Sequence, residues 1–468
     1  MKRSIAILLV LAMSISLLLS CSETEPEAVP EMDFDSEKNQ TYDDADFIYL
    51  VDNDSRVLGY VNDTLFSDLV YQRIDDVEKQ LDVNITLENT SQGKIGIIQS
   101  ETFAGVSHYA ALMDNSNALS SGTRGGLLYD LCLLSSLNAL DNEKWGTPEN
   151  RKTLYWDGTV YGLFPAKYPL HMMNGIEGLM VVNEQMIKRL NQKDPREYIE
   201  EGVWTWDKFE ELMPYYAHTD DMGKYVYALY MTIHWIFRTI QTTNGGHVTY
   251  KDGDEWQLGL RTQQQVDALS RGYDWAFGDY SPYVYIEPGN AWTNVLPKFL
   301  DGMSVIALLP SNDIYGKEDS IAYKMEDFGI LTFPTGPEGS LSSPGTTITD
   351  CRFITAIPAL FSEPEMAGAV INALYEPLEG FETFDDTLSY MRQYYFYDDR
   401  DVECYRRGYE NVMYDYRNEG LNDVVININD SKTMVQWLEQ FEPADEVNRQ
   451  KFVVNIESSI DELYGDQK

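Results

Sequence analysis

The chain has 468 residues, 43% of them hydrophobic and 13% aromatic, which excludes wholesale disorder and leaves room for two domains. Its 76 acidic residues against 35 lysines and arginines give a formal net charge of −41, a field that repels phosphate backbones and excludes nucleic acid as a partner. Two readings of that charge stay open: solubility in a salty medium, or attraction of a cationic ligand.

In chain order, Lys2 and Arg3 precede an apolar run from Ile5 to Leu19 that ends at Leu18-Leu19-Ser20-Cys21. The run is shorter than the ~20 residues a membrane-spanning helix needs, so residues 1–20 are expected to be a signal peptide. The Leu-x-Ser-Cys ending is similar to a bacterial lipobox. That similarity implies lipidation at Cys21 and a place on the extracytoplasmic face of the cell membrane, anchored by lipid. Residues 21–44 then form an acidic tether, with Glu23, Glu25, Glu27, Glu31, Asp33, Asp35 and Glu37 repelling one another and extending it. Besides Cys21 there are Cys132, Cys351 and Cys404, so at least one thiol stays free. Cys132, in Leu131-Cys132-Leu133-Leu134, suits a small buried hydrophobe. No Cys-x-x-Cys pair supports a zinc or thioredoxin site.

Phe47 to Val51 reads as a strand, Phe66, Val70, Ile74, Val77 and Leu81 as one face of a helix, and Val83, Ile85 and Leu87 as a strand with one wet side. Strand, helix and strand make a βαβ unit whose first loop, Asp52-Asn53-Asp54-Ser55, lies at a strand's carboxyl end, where open α/β sheets bind ligands. His108 to Gly126 reads as a polar loop, and Trp145-Gly146-Thr147-Pro148 as a surface turn. Asp157-Gly158 marks a hairpin, Pro165 to His171 a connection, and Gly178 to Val182 a strand. Thr205 caps a helix starting at Trp206, and Asp252-Gly253 turns a second hairpin. Val305 to Leu309 is a buried strand. Phe328 to Leu331 is another, leading into the turn-rich Pro334 to Gly339. Ser362 caps a helix running towards Tyr375, and the remainder is mostly helical.

Five segments together resemble the extracellular solute-binding proteins of bacterial ABC importers, in the sugar-binding class that includes maltose-binding protein. They are Tyr155-Trp156-Asp157-Gly158-Thr159-Val160-Tyr161-Gly162-Leu163-Phe164-Pro165, Leu179 to Glu184, Trp204-Thr205-Trp206-Asp207-Lys208-Phe209, Phe299-Leu300-Asp301-Gly302-Met303-Ser304-Val305, and Phe328 to Pro334. The resemblance implies an α/β, two-lobed periplasmic-binding-protein-like fold, each lobe a mixed sheet flanked by helices, with a ligand cleft at the hinge. It places the N-terminal lobe at 45–168 plus 346–393 and the C-terminal lobe at 169–345 plus 394–468. It further implies a monomeric receptor that captures a carbohydrate, an oligosaccharide, and delivers it to the permease subunits of an ABC transporter. A cationic or peptide ligand in the same fold, and a surface glycoside hydrolase, are the alternatives.

A sugar is recognised by aromatic faces on its C–H side and by short polar groups on its hydroxyls. Trp235 starts a helix of the second lobe near where relatives place a stacking aromatic, with core packing the other reading. Trp292, in a Gly/Asn loop, serves either as a platform or as loop packing. Trp204 and Trp206 belong to scaffold. Tyr168 and His171 follow the hinge and face either the cleft or local hydrogen-bond partners. Asp114, Asn115 and Arg124 lie in the polar loop of the first lobe. Asn312 and Asp313 follow a buried strand, and Thr349 precedes the returning hinge strand. No Gly-x-Ser-x-Gly or His-Glu-x-x-His occurs, and Asp52-x-Asp54-x-Arg56 breaks EF-hand spacing. No enzyme activity, cofactor or metal is therefore expected.

Overall fold

A computed structural model describes residues 40–54, 57, 65–140, 143–146, 154–174, 176, 178–246, 249–315, 318–342, 346–348, 354–414 and 427–464. The leader, Cys21, most of the tether, Thr349 and Cys351 lie outside them. Among the described residues no helix is long and apolar enough to cross a membrane.

The first sheet has the order β15–β3–β1–β2. Its strands are β1 (Ala45–Val51), β2 (Val83–Asn89), β3 (Ala111–Asp114) and β15 (Ile354–Ala356). β1 is parallel to β2 and β3, and β15 is antiparallel to β3. The central β1 is almost wholly apolar from Phe47 because both its faces are covered. The edge strand β2 alternates, burying Val83 while Asn84, Thr86 and Glu88 stay exposed. Helix α1 (Leu65–Leu81) joins them as the spacing predicts, with Phe66, Val70, Val77 and Leu81 turned inward.

The second sheet runs β11–β8–β12–β6–β13, with a short β7 (His218–Thr219) on β8. Its members are β6 (Leu179–Asn183), β8 (Tyr225–Met231), β11 (Val284–Ile286), β12 (Ser304–Leu309) and β13 (Phe328–Leu331). β8, β11 and β12 are parallel, and β6 is antiparallel to β12 and β13. Three two-stranded pairs complete the sheets: β4 (Tyr155–Trp156) with β5 (Thr159–Val160), β9 (Thr249–Asp252) with β10 (Glu255–Leu258), and β14 (Thr346–Ile348) with β16 (Val412–Tyr414). Asp157 and Gly158 both take positive φ, 49° and 68°, the conformation that an Asp-Gly hairpin turn requires.

Four local readings are corrected. The polar stretch 108–126 is not a loop, since it holds β3, too short at four residues to show a period, and the helix Ser116–Arg124 (α3), whose small polar residues mask its periodicity. Trp145 is fully buried rather than in a surface turn, its Nε1 donating to the Leu137 carbonyl at 2.9 Å. The helix Pro364–Leu374 is capped at Glu363, one residue after Ser362, because Pro364 fits the first helical position. Cys132 is half-buried, in a one-turn 3-10 helix.

The chain passes between the sheets at their carboxyl edges. Leu163 bonds both ways to Thr355 at 2.9 Å, antiparallel to β15 and hence parallel to β3. It therefore leaves the first sheet at the edge where β1, β2 and β3 end. A short helix, Pro169–Asn174, follows. Ile176 then exchanges hydrogen bonds with Ser311 just past the end of β12, and β6 starts opposite Leu309. Gly178 permits this entry, with φ at 78° and no room for a Cβ beside Thr239. The return path is equivalent: β13 ends at the same edge as β12, and β15 begins opposite Asp114. Both crossings thus join the carboxyl edge of one sheet to that of the other, and what lies between those edges is the cleft.

Candidate functional site

Three strand ends of the first sheet bring together three charged side chains. Asp52 follows β1, Asp114 closes β3, and Lys94 opens the helix after β2, α2 (Lys94–Ala104). Lys94 is 5% exposed, with its Nζ 3.8 Å from Asp52 Oδ1 and 3.6 Å from Asp114 Oδ2. Burial raises the Asp114 carboxyl above its ordinary value, while Lys94 and the Asn115 amide draw it back in part. Asn115 caps α3, its Oδ1 accepting from Ala118 N at 2.8 Å. Arg124 is exposed in the last turn of α3, roughly 13 Å along the helix from that cap.

The second edge is formed by β11, β8 and β12, adjacent in that order. β8 leads through Thr232 into the helix Ile233–Thr242, where Trp235 is 2% exposed against His234, ring centroids 5.4 Å apart. β12 leads into the one-turn helix Ser311–Tyr315, where Asn312 is half-buried and Asp313 buried. β11 leads to Glu287 and to the 3-10 turn carrying half-buried Trp292. Glu287 ties this loop down. It is 4% exposed and accepts from Asn294 Nδ2 and Lys298 Nζ, both at 2.7 Å, and from the Tyr230 hydroxyl. Burial works to raise its carboxyl, but those donors outweigh it and hold it below the ordinary range.

Tyr168 and His171 sit in the first crossing inside a buried aromatic knot. Tyr168 packs edge-on to Phe66 and Tyr375 at 6.3 and 5.2 Å, and His171 stacks on Phe164 with Nδ1 3.2 Å from the Pro165 carbonyl. Tyr375 is joined through Tyr49 to Thr355 of β15, so the knot binds the crossing to the first sheet. Of the residues singled out from sequence, Asp114, Asn115, Trp235, Trp292, Asn312 and Asp313 stand at the two edges; Tyr168 and His171 line the pivot instead. Lys94 and Glu287 were not foreseen. Asp52 was marked only through its loop position. Among the described residues, no group of His, Cys, Asp or Glu is arranged to hold a metal ion.

The two sheets and the crossings between them make a two-lobed α/β fold shared with the solved structures to which the chain is similar. No protein-family model and no curated protein matches the sequence, whereas solved structures do. The chain is similar to the GacH receptor of Streptomyces glaucescens, solved unliganded and with acarbose, at 12% identity and a TM-score of 0.61 over 87% of this chain and 98% of that one. It is likewise similar to the ABC substrate-binding protein Lmo0181 of Listeria monocytogenes, in complex with cycloalternan, at 12% identity and TM-score 0.57 over 87% and 99%. A cyclo/maltodextrin-binding protein complexed with maltotetraose is similar at 13% identity and TM-score 0.58 over 88% and 99%.

Proposed function

We propose that this protein is a monomeric, lipid-anchored receptor at the extracytoplasmic face of a bacterial membrane. It captures a carbohydrate, an oligosaccharide, and hands it to an ABC import permease without catalysing a reaction. The observation that carries this reading is the meeting of two strand edges at one cleft, one edge rich in charged and amide groups and the other bearing the half-buried Trp292. That pairing suits hydroxyls on one side of a sugar and a C–H face on the other. The ligands of the similar structures, acarbose, cycloalternan and maltotetraose, support the same class.

Calorimetric titration of the protein against maltotetraose, cycloalternan, a peptide mixture and spermidine tests the reading. Heat with a neutral glycan is expected; heat with spermidine or peptide alone would sink it. Replacing Trp292 with alanine should weaken glycan affinity about five-fold, ~1 kcal/mol of lost stacking; unchanged affinity would return Trp292 to loop packing. The anchor has its own test. Cys21→Ser should move the protein from the membrane fraction to the soluble one, and continued membrane retention would contradict lipidation.

A further inference from the structure

We propose that the last two helices of the chain form a strap that sets the angle between the lobes and, through it, the affinity for the ligand. The helix Met434–Asn448 is held by the second lobe. Its Trp437 and Phe441 are buried, ring centroids 5.8 Å apart, and Glu442 pairs with Arg261 at 2.6 Å. Just before it, the Lys432 carbonyl accepts at 2.9 Å from the hydroxyl of Tyr273, on the helix Gln263–Phe277 that packs beside β11. Just after it, Arg449 donates to the Trp256 carbonyl of β10 at 2.8 Å. The helix Val454–Tyr464 is held instead by the first lobe, where it lies against β4. Ser459 Oγ accepts from the Gly158 amide at 3.1 Å, and the Tyr464 and Tyr155 hydroxyls are 3.0 Å apart. Tyr464 also donates to the Leu140 carbonyl at 3.3 Å. Glu462 lies so close to Gly158 that a Cβ there would collide with its carboxylate. The hairpin is itself tied into the first lobe by Thr159, which donates to Asp130.

Between the two docks the helical ladder is weak. Arg449–Val453 is a π-helix, a rare form, and Pro443 interrupts the preceding helix by removing an N–H donor. Lobes joined only at their strand crossings pivot about them. A rod clamped to both lobes can follow that motion only by bending at its soft turn or by slipping off one of them. The first-lobe dock is the one that slips, since its hydroxyl and amide bonds are neutral, whereas the second-lobe dock holds through buried rings and the charged Arg449. The lobe angle that keeps both docks is thereby favoured, and ligand affinity shifts by the same free energy.

Calorimetry and small-angle X-ray scattering on the full chain test this with two variants. The double substitution Ser459→Ala, Tyr464→Phe weakens the first-lobe dock, and Arg449→Met weakens the other. Affinity for the tightest neutral oligosaccharide of the panel should move about five-fold, in the same direction in both. The radius of gyration of the unliganded protein should move with it. Either variant serves alone if circular dichroism shows that the other misfolds. A folded variant in which either quantity is unchanged, even if its stability falls, overturns the proposal, as do affinity shifts of opposite sign in the two variants. The affinity arm rests on the carbohydrate reading above. A parent protein that binds no neutral glycan defeats that reading, and the radius of gyration then still decides whether the strap sets the lobe angle.

Discussion

Replacing Arg196 with methionine is expected to destabilise the protein by about 3–5 kcal/mol, because it strands buried carboxylates. Arg196 is 1% exposed and reaches Asp401 at 2.7 Å, Asp194 at 2.7 Å and Glu184. Asp401 in turn accepts from the Ile330 amide of β13 at 2.8 Å, so this one guanidinium holds the helix Asp399–Glu410 against the second sheet. The two partners should respond unequally. Burial lifts the Asp401 carboxyl to about 6 against Arg196 and Ile330, which pull it down, and its Oδ2 has no hydrogen-bond partner among the described residues. Asp401→Asn should therefore cost much less than Arg196→Met in chemical denaturation at pH 7. A group whose folded value is raised from 3.8 takes up its proton in the folded state first, so this site adds stability as pH falls through 6. The gap between the parent protein and Asp401→Asn should accordingly change between pH 7 and pH 5. Equal costs for the two substitutions at pH 7 would contradict this asymmetry, because the buried Asp401 charge would then contribute as much as Arg196.

Glu287→Gln is the second large effect, about 2 kcal/mol from weakened bonds to Lys298, Asn294 and the Tyr230 hydroxyl. Here the folded carboxyl lies below its ordinary 4.5, so its contribution is fully present above that value and is lost as pH falls through the folded one. Urea denaturation should show a constant difference from neutral pH down to about 5, closing only in stronger acid. The same substitution frees the turn bearing Trp292, so glycan affinity should fall even where the fold persists. A pH-independent difference would mean that the charge of Glu287 is not what ties the loop.

Local patterns carried most of the fold. The α1 periodicity, the alternation of β2, the Asp157-Gly158 turn and the Thr205 cap, whose hydroxyl accepts from Lys208 N at 3.3 Å, are decided by neighbours in sequence. What escaped is set by partners far along the chain. Trp145 reads as a turn residue until Leu137 and Tyr375 enclose it, and Lys94, after Ser91-Gln92-Gly93, looks like any exposed lysine. Only when β1, β2 and β3 align does it fall between Asp52 and Asp114. Asn312 stands out in the sequence because it follows a buried strand; Asp114 and Trp292 stand out as members of polar loops, and the structure places Asp114 at the end of β3 and Trp292 in the turn after β11. Tyr168 and His171 read as following the hinge and facing either the cleft or local partners, and the rings of Phe66, Phe164 and Tyr375 that bury them come from three separate segments.

Both strand edges are expected to act on one ligand. Titrating a single neutral oligosaccharide against the parent protein, Asp114→Asn and Trp292→Ala tests it, since the two substitutions sit on different sheets. Affinity for the same ligand should fall in both variants. A ligand weakened by one substitution and indifferent to the other would contradict a shared cleft.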